Sequence, residues 1–203
     1  MFFVSVLEDD IRVHPQELSK PPLQAVTEVI EQKFLDKVID KVGLAVSIHE
    51  IVSLEGGFIY PSDGAAYFKV QFKLVIFRPF PGEVIKGKVK SMDKNGIYVS
   101  LGFFDDIFIP DYALQEPSFF DDSEKIWIWK FSEEHNLYID KEEEVVFTVQ
   151  NIKFSSIPTP QQLATAVGED KLLGTVMRPF RPMEVFGNIN GDGLGMTAWW
   201  SGQ

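Results

Sequence analysis

The run Ala66-Tyr67-Phe68-Lys69-Val70-Gln71-Phe72-Lys73-Leu74-Val75-Ile76-Phe77, followed at once by Arg78-Pro79-Phe80-Pro81-Gly82, decides the fold. Phe68, Val70, Phe72, Leu74 and Ile76 alternate with Lys69, Gln71 and Lys73, the period of a strand buried on one face. Two prolines and a glycine then stop strand pairing and stiffen the chain, which marks a junction between domains.

Upstream of this strand the pattern is mixed. Residues 1–13 read as strand material broken by a turn at Glu8-Asp9-Asp10. Ser19-Lys20-Pro21-Pro22 opens a helix, with serine available as a cap and proline tolerated in the first turn. Leu23, Val26, Ile30, Phe34 and Val38 follow at helical spacing, and Gly43 suits the left-handed residue that ends a helix. Leu44 to Leu54 reads as a strand with Leu44, Val46 and Ile48 on one face. A turn region runs from Glu55-Gly56-Gly57 to Pro61-Ser62-Asp63-Gly64. Strand, helix, strand, strand is an α+β unit, placed at residues 1–80.

Downstream, residues 81–203 read as almost all β. Strands are expected at 84–91, 97–102, 106–109, 125–131, 137–139, 145–153 and in the tail at 185–200. Asp93-Lys94-Asn95-Gly96 is a hairpin turn, since Asn-Gly accepts positive φ. Short strands at this spacing predict a small barrel of the OB type. Residues 155–182 carry four prolines and no sustained apolar pattern; they read as an insertion loop with one short helix near Gln161 to Val167.

Composition narrows the function. With 203 residues the chain is long enough for one domain or two small ones. It contains no cysteine, which excludes disulfides, thiolate metal sites and cysteine nucleophiles. The apolar start at Met1 to Leu7 is short and meets acids at once, unlike a signal peptide. No apolar run approaches the roughly 20 residues of a membrane span. Together these read as a soluble intracellular protein that makes no use of a membrane.

Nothing nominates a catalytic group. No phosphate-binding Gly-Lys-Ser/Thr loop and no Gly-x-Ser-x-Gly elbow is present. His14, His49 and His135 lie far apart and match no metal spacing, so no metal or cofactor is expected. Asp105-Asp106 and Glu142-Glu143-Glu144 are neighbouring acids, which on a strand point to opposite faces instead of converging.

The net charge of −11 means that any affinity for nucleic acid must come from a local patch. Lys86, Lys88 and Lys90 sit on alternate positions and share one strand face, with Lys94 nearby and only Asp93 opposing them within residues 86–94. Ile85, Gly87 and Val89 then face inward. On the following strands Tyr98 and Phe108 face outward, between Ile97, Val99, Ile107 and Ile109. Lysines beside exposed rings are what single-stranded RNA needs, since cations track the backbone and bases stack on rings. Asp105, Asp106, Asp111, Asp121 and Asp122 weaken the attraction. The residues therefore predict weak binding with little sequence preference.

Several of these segments resemble the larger subunit of the stalk heterodimer of archaeal and eukaryotic RNA polymerases. The resemblance spans nearly the whole chain and is carried by Pro61-Ser62-Asp63-Gly64, the strand Phe68 to Phe77, Arg78-Pro79-Phe80 and Pro81-Gly82-Glu83-Val84. Leu101-Gly102-Phe103-Phe104-Asp105-Asp106-Ile107-Phe108-Ile109-Pro110 and the ending Gly193-Leu194-Gly195-Met196 with Trp199-Trp200 are most similar to the RNA polymerase III version. The resemblance implies a ribonucleoprotein-like tip domain before an OB-fold barrel, in a non-catalytic nuclear subunit that supports initiation. It implies a small helical partner subunit, a core polymerase, initiation factors and nascent RNA as its company. Pro61, Asp63 and Gly64 match the loop expected at the core enzyme, and Tyr98 an RNA-binding aromatic position. Asn95 stands where an aromatic is common and Ile109 where a histidine is common.

A physical point agrees with a partner subunit. Leu44, Val46 and Ile48 on one face, with Val75 and Phe77 on the other, leave more apolar strand surface than one helix covers. A general OB-fold RNA-binding or translation-type factor is the competing reading; such factors rarely carry this α+β unit and junction.

Overall fold

A computed structural model describes residues 1–61, 63–133, 135–155 and 180–200. The chain divides into two compact units, Met1–Arg78 and Pro79–Gln203.

The first unit is a four-stranded antiparallel sheet with one helix on one face. Its elements are β1 (Phe2–Val13), α1 (Pro22–Phe34), β2 (Val38–Ile39), β3 (Gly43–Ile59) and β4 (Ala66–Phe77), with strand order β1-β4-β3-β2. Val70, Phe72, Leu74 and Ile76 of β4 form the centre of the core, as their alternation predicts. Ile11 and Val13 of β1 and Ala25, Val26 and Ile30 of α1 close over them. Burying this apolar set is what holds the helix on the sheet.

Four local readings change. The acids Glu8, Asp9 and Asp10 are no turn: β1 runs through them, pairing with Gln71, Val70 and Lys69. Lys69 neutralises Glu8 from β4, and Lys33 neutralises Asp9 from the helix. The helix starts from Pro21, with no side-chain cap, and ends at Phe34. Asp36 takes the left-handed conformation, φ 58°, so Val38 lies beyond the helix in β2. Gly43 is needed for a different reason: a Cβ there would lie 2.6 Å from the Phe77 carbonyl oxygen.

β3 is the largest departure. Its register against β4 slips at 45/47, 48/50, 51/53 and 56/58. Each slip is a bulge that adds one residue to β3 and resets its alternation. Core-facing side chains therefore recur every third residue, at Ala45, Ile48, Ile51 and Leu54, opposite Ile76, Leu74, Phe72 and Val70.

The second unit holds β5 (Val84–Asp93), β6 (Gly96–Ser100), β7 (Ile107–Pro110), β8 (Ser118–Asp121), β9 (Ile126–Lys130), β10 (Asn136–Ile139), β11 (Glu144–Phe154), β12 (Met183–Asn188) and β13 (Gly195–Met196). Strands pair in the order β12-β7-β6-β5-β11, and β12 also pairs with β11, which closes a five-stranded OB-like barrel. Ile85, Val89, Ile97, Val99, Ile107, Ile109, Val145, Phe147, Val149, Met183 and Val185 fill it. The hairpin between β5 and β6 is present. Positive φ falls on Gly96 and not on Asn95, whose N–H donates to Asp93 Oδ1 at 2.8 Å.

β8, β9 and β10 form a separate three-stranded sheet, of which β8 escapes the periodicity reading. Trp199, in a short 3-10 turn after β13, lies with its ring centroid 5.1 Å from that of Trp129 on β9. Its indole N–H donates to the Tyr138 carbonyl on β10 at 3.0 Å. Of the insertion expected at 155–182, residues 156–179, with the short helix near Gln161 to Val167, lie outside the described residues. At its base the Ser155 N–H donates to the Pro182 carbonyl at 3.0 Å.

Candidate nucleic-acid interface

β5 carries its lysines as the alternation predicts. Lys86, Lys88 and Lys90 are exposed while Ile85, Gly87 and Val89 are buried between them. Most of the charge around them is nevertheless compensated, from a neighbouring strand and from loops. Lys86 pairs with Glu144 on β11 at 2.6 Å, Lys90 with Asp105 at 2.6 Å and Lys94 with Asp122 at 2.8 Å. Lys90, and after it the Ser100 hydroxyl, lowers the pKa of the Asp105 carboxyl. Lys88 has no carboxylate partner among the described residues. Reading residues 86–94 alone finds only Asp93, because the fold brings the opposing acids from 15 to 58 positions away.

The rings differ from expectation as well. Tyr98 pairs with Phe108 on β7, and Phe108 with Phe186 on β12, so three rings make one row on the outer face. Ring centroids lie 4.9 Å apart for Tyr98 and Phe108, and 6.4 Å apart for Phe108 and Phe186. Phe108 keeps only 7% of its surface exposed, because a neighbour closes it on each side; it is no open stacking ring. Tyr98 is half-buried, and the Arg181 guanidinium lies 5.2 Å from its ring centroid, in the place a base would take. Asp106 and Glu184 hold that guanidinium, each at 3.1 Å. Burial raises the Asp106 carboxyl pKa, and Arg181 offsets part of this. Arg181 lies at the end of the insertion read as a loop, so sequence spacing does not connect it with Tyr98.

The first unit carries the other predicted sites. Pro61, Asp63 and Gly64 sit between β3 and β4. Asp63 accepts from the Arg12 guanidinium, with Nε at 2.9 Å, and from the Tyr67 hydroxyl. These two partners, Arg12 foremost, hold its pKa down at about 2. Its carboxylate is thus spent on shaping the loop. Gly64, at φ 69°, donates to the Tyr60 carbonyl at 2.9 Å and closes the turn. The exposed groups here are Phe58, Ile59 and Tyr60, with Phe58 73% exposed. Sequence reasoning missed them, although an apolar triplet just before a turn is a visible signal.

The five partner-interface residues do not form one open surface. Phe77 is fully buried and Leu44 nearly so; they pair with each other, and the Phe2 ring lies 5.4 Å from that of Phe77. Ile48 packs on the helix side because of the β3 bulges. Val46 and Val75 are half-buried. Val4 and Val6 of β1, on the same helix-free face as Val75, are exposed. Among the described residues no helix is long and apolar enough to cross a membrane. No three His, Asp or Glu side chains gather there as a metal cluster.

A helix-backed sheet followed by a closed OB-like barrel defines a two-module class of protein. Residues 8–64 match the SHS2 domain found in the N terminus of Rpb7p and Rpc25p, and residues 83–200 match the family described as RNA polymerase III subunit Rpc25. The chain is 39% identical over 206 residues to the DNA-directed RNA polymerase III subunit rpc8 of Schizosaccharomyces pombe, covering 98% of this chain and 100% of that protein. It is 37% identical to the Bos taurus RPC8, covering 99% of both. Similarity to the Saccharomyces cerevisiae RNA polymerase II subunit RPB7 is 32% over 104 residues, 50% of this chain and 61% of that one. The chain belongs to the Rpc25/RPC8 family of RNA polymerase III subunits.

Proposed function

We propose that this chain is the larger stalk subunit of a nuclear RNA polymerase III, with no catalytic group of its own, acting in initiation beside the emerging transcript. The observation that carries this reading is end-to-end similarity to relatives named as subunits of that polymerase. A small helical subunit packs on the helix-free face of the first unit, where Val4, Val6 and Val75 leave an apolar strip. The turn at Pro61, Asp63 and Gly64 meets the core enzyme, with Phe58 and Tyr60 as its apolar contacts. Initiation factors and nascent RNA are met by the barrel, the RNA weakly, in keeping with the paired charges of Lys86, Lys90 and Lys94.

Depletion of the chain from a nuclear extract tests this. Initiation on RNA polymerase III templates is expected to fall, and to return when the purified chain is added with its small partner. Unchanged initiation after depletion would refute the reading.

A further inference from the structure

The outer aromatic row of the barrel does not stop at its covered members. Tyr98 lies under Arg181 and Phe108 between its neighbours, but the row ends at Phe186, which is half-buried. Phe186 opens onto a groove of about 660 Å³ lined also by Tyr112 and by Gln150 to Phe154 of β11.

Local backbone builds this groove. β11 slips against β12 between Val149 and Asn151, so Gln150 is an extra residue. In a regular strand one of two consecutive side chains would enter the barrel. The bulge instead leaves Gln150 and Asn151 both exposed, re-aiming a side chain as bulges do beside binding sites. Asn151 spends its side-chain oxygen on the Ile152 N–H at 2.8 Å, and its amide N–H groups have no partner among the described residues. The Gln150 side chain makes no hydrogen bond among the described residues, and Lys153 makes no ion pair there, since Glu184 opposite it on β12 is held by Arg181. Tyr112, 71% exposed, stands at the rim in a 3-10 turn, its own N–H bound to Asp111 Oδ1 at 2.8 Å.

We infer that the Tyr112–Phe186 groove takes a nucleotide of single-stranded RNA. A ring accepts the face of a base, the two side-chain amides can read its edge, and the Lys153 ammonium can meet the phosphate. The lysine strand offers no such set, because three of its four cations are neutralised and its ring is capped. Asp111 at the rim keeps the affinity low. The inference rests on the reading that the barrel meets RNA.

Fluorescence anisotropy of a labelled oligouridylate with the full chain tests it. Tyr112→Ala is expected to weaken binding about fivefold or more, the loss of one stacked base. Lys153→Gln should lower the salt slope by about 0.7, the share of one single-strand phosphate contact. Thermal unfolding of both variants should match the wild type. If both bind RNA like the wild type while Lys86→Gln/Lys88→Gln loses binding, the groove is not the site but the RNA reading stands. If the wild type retains no RNA even at low salt, both fall. If the groove variants lose polymerase subunits or factors in capture yet bind RNA unchanged, the groove serves protein and the inference is overturned.

Discussion

Asp63 shows how a residue can be prominent in sequence for a structural reason. Its carboxylate is forked by Arg12 and bonded by the Tyr67 hydroxyl, which brings its pKa down from 3.8 to about 2. A carboxyl whose folded pKa is lowered stabilises the fold above its unfolded pKa, and the contribution is lost as pH falls through the folded value. The β3–β4 turn should therefore loosen between about pH 4 and pH 2, while Arg12 stays charged. An NMR titration of the Asp63 carboxyl carbon is expected to give a midpoint near 2; a midpoint near 4 would remove the latch. Gly96 is the second residue with a strict geometry. A Cβ there would lie 2.1 Å from the Ile109 carbonyl oxygen, at φ 147°. Gly96→Ala should cost about 1–3 kcal/mol or more through overpacking and backbone strain, read as a lower urea midpoint. The Asn-Gly pair was visible in the sequence. That glycine alone carries the positive φ was not, because the approach of β7 requires it.

Elements were legible where one pattern governs and illegible where two interfere. β4 follows a single period and its core residues stand where the spacing predicts; in α1 the stripe holds at Val26, Ile30 and Phe34, while Leu23 is exposed, Val38 lies beyond the helix and Ala25 joins the core. β3 mixes a strand with recurrent bulges, so alternation assigned Leu44, Val46 and Ile48 to one face when Ala45, Ile48, Ile51 and Leu54 point to the core. β8 is four residues long and gives no period to read. The tryptophan tail is legible as a motif, but its purpose emerges only from the three-stranded sheet it fastens. Trp199→Ala should cost about 2–3 kcal/mol, below the range for a fully buried tryptophan, since Trp199 is only half-buried. Hydrogen exchange should accelerate in residues 126–139 while β5 and β6 stay protected; uniform exchange across the barrel would show that the tail fastens no separate sheet.

For the molecule as a whole, net charge was a better guide than the local lysine run. A chain at −11 has carboxylates to spare for its cations, and Glu144 from a paired strand and Asp105 and Asp122 from loops meet Lys86, Lys90 and Lys94. Sequence proximity already pointed to Asp105 and Asp122 as opposing acids; Glu144, brought in by strand pairing, and the three specific ion pairs emerge only in three dimensions. The two-unit division and the barrel rest on proline, glycine and alternation signals that sequence carries openly. Surface partners rest on exposure, which it does not. Changing Phe58 and Tyr60 to serine should weaken association with the core enzyme at least tenfold while leaving unfolding unchanged, since both rings are exposed. The most direct measurement is affinity capture of the tagged chain from nuclear extract, read by mass spectrometry. The account predicts the large subunits of RNA polymerase III together with one small helical protein in equal amount; capture of ribosomes, or of no polymerase subunit, would contradict it.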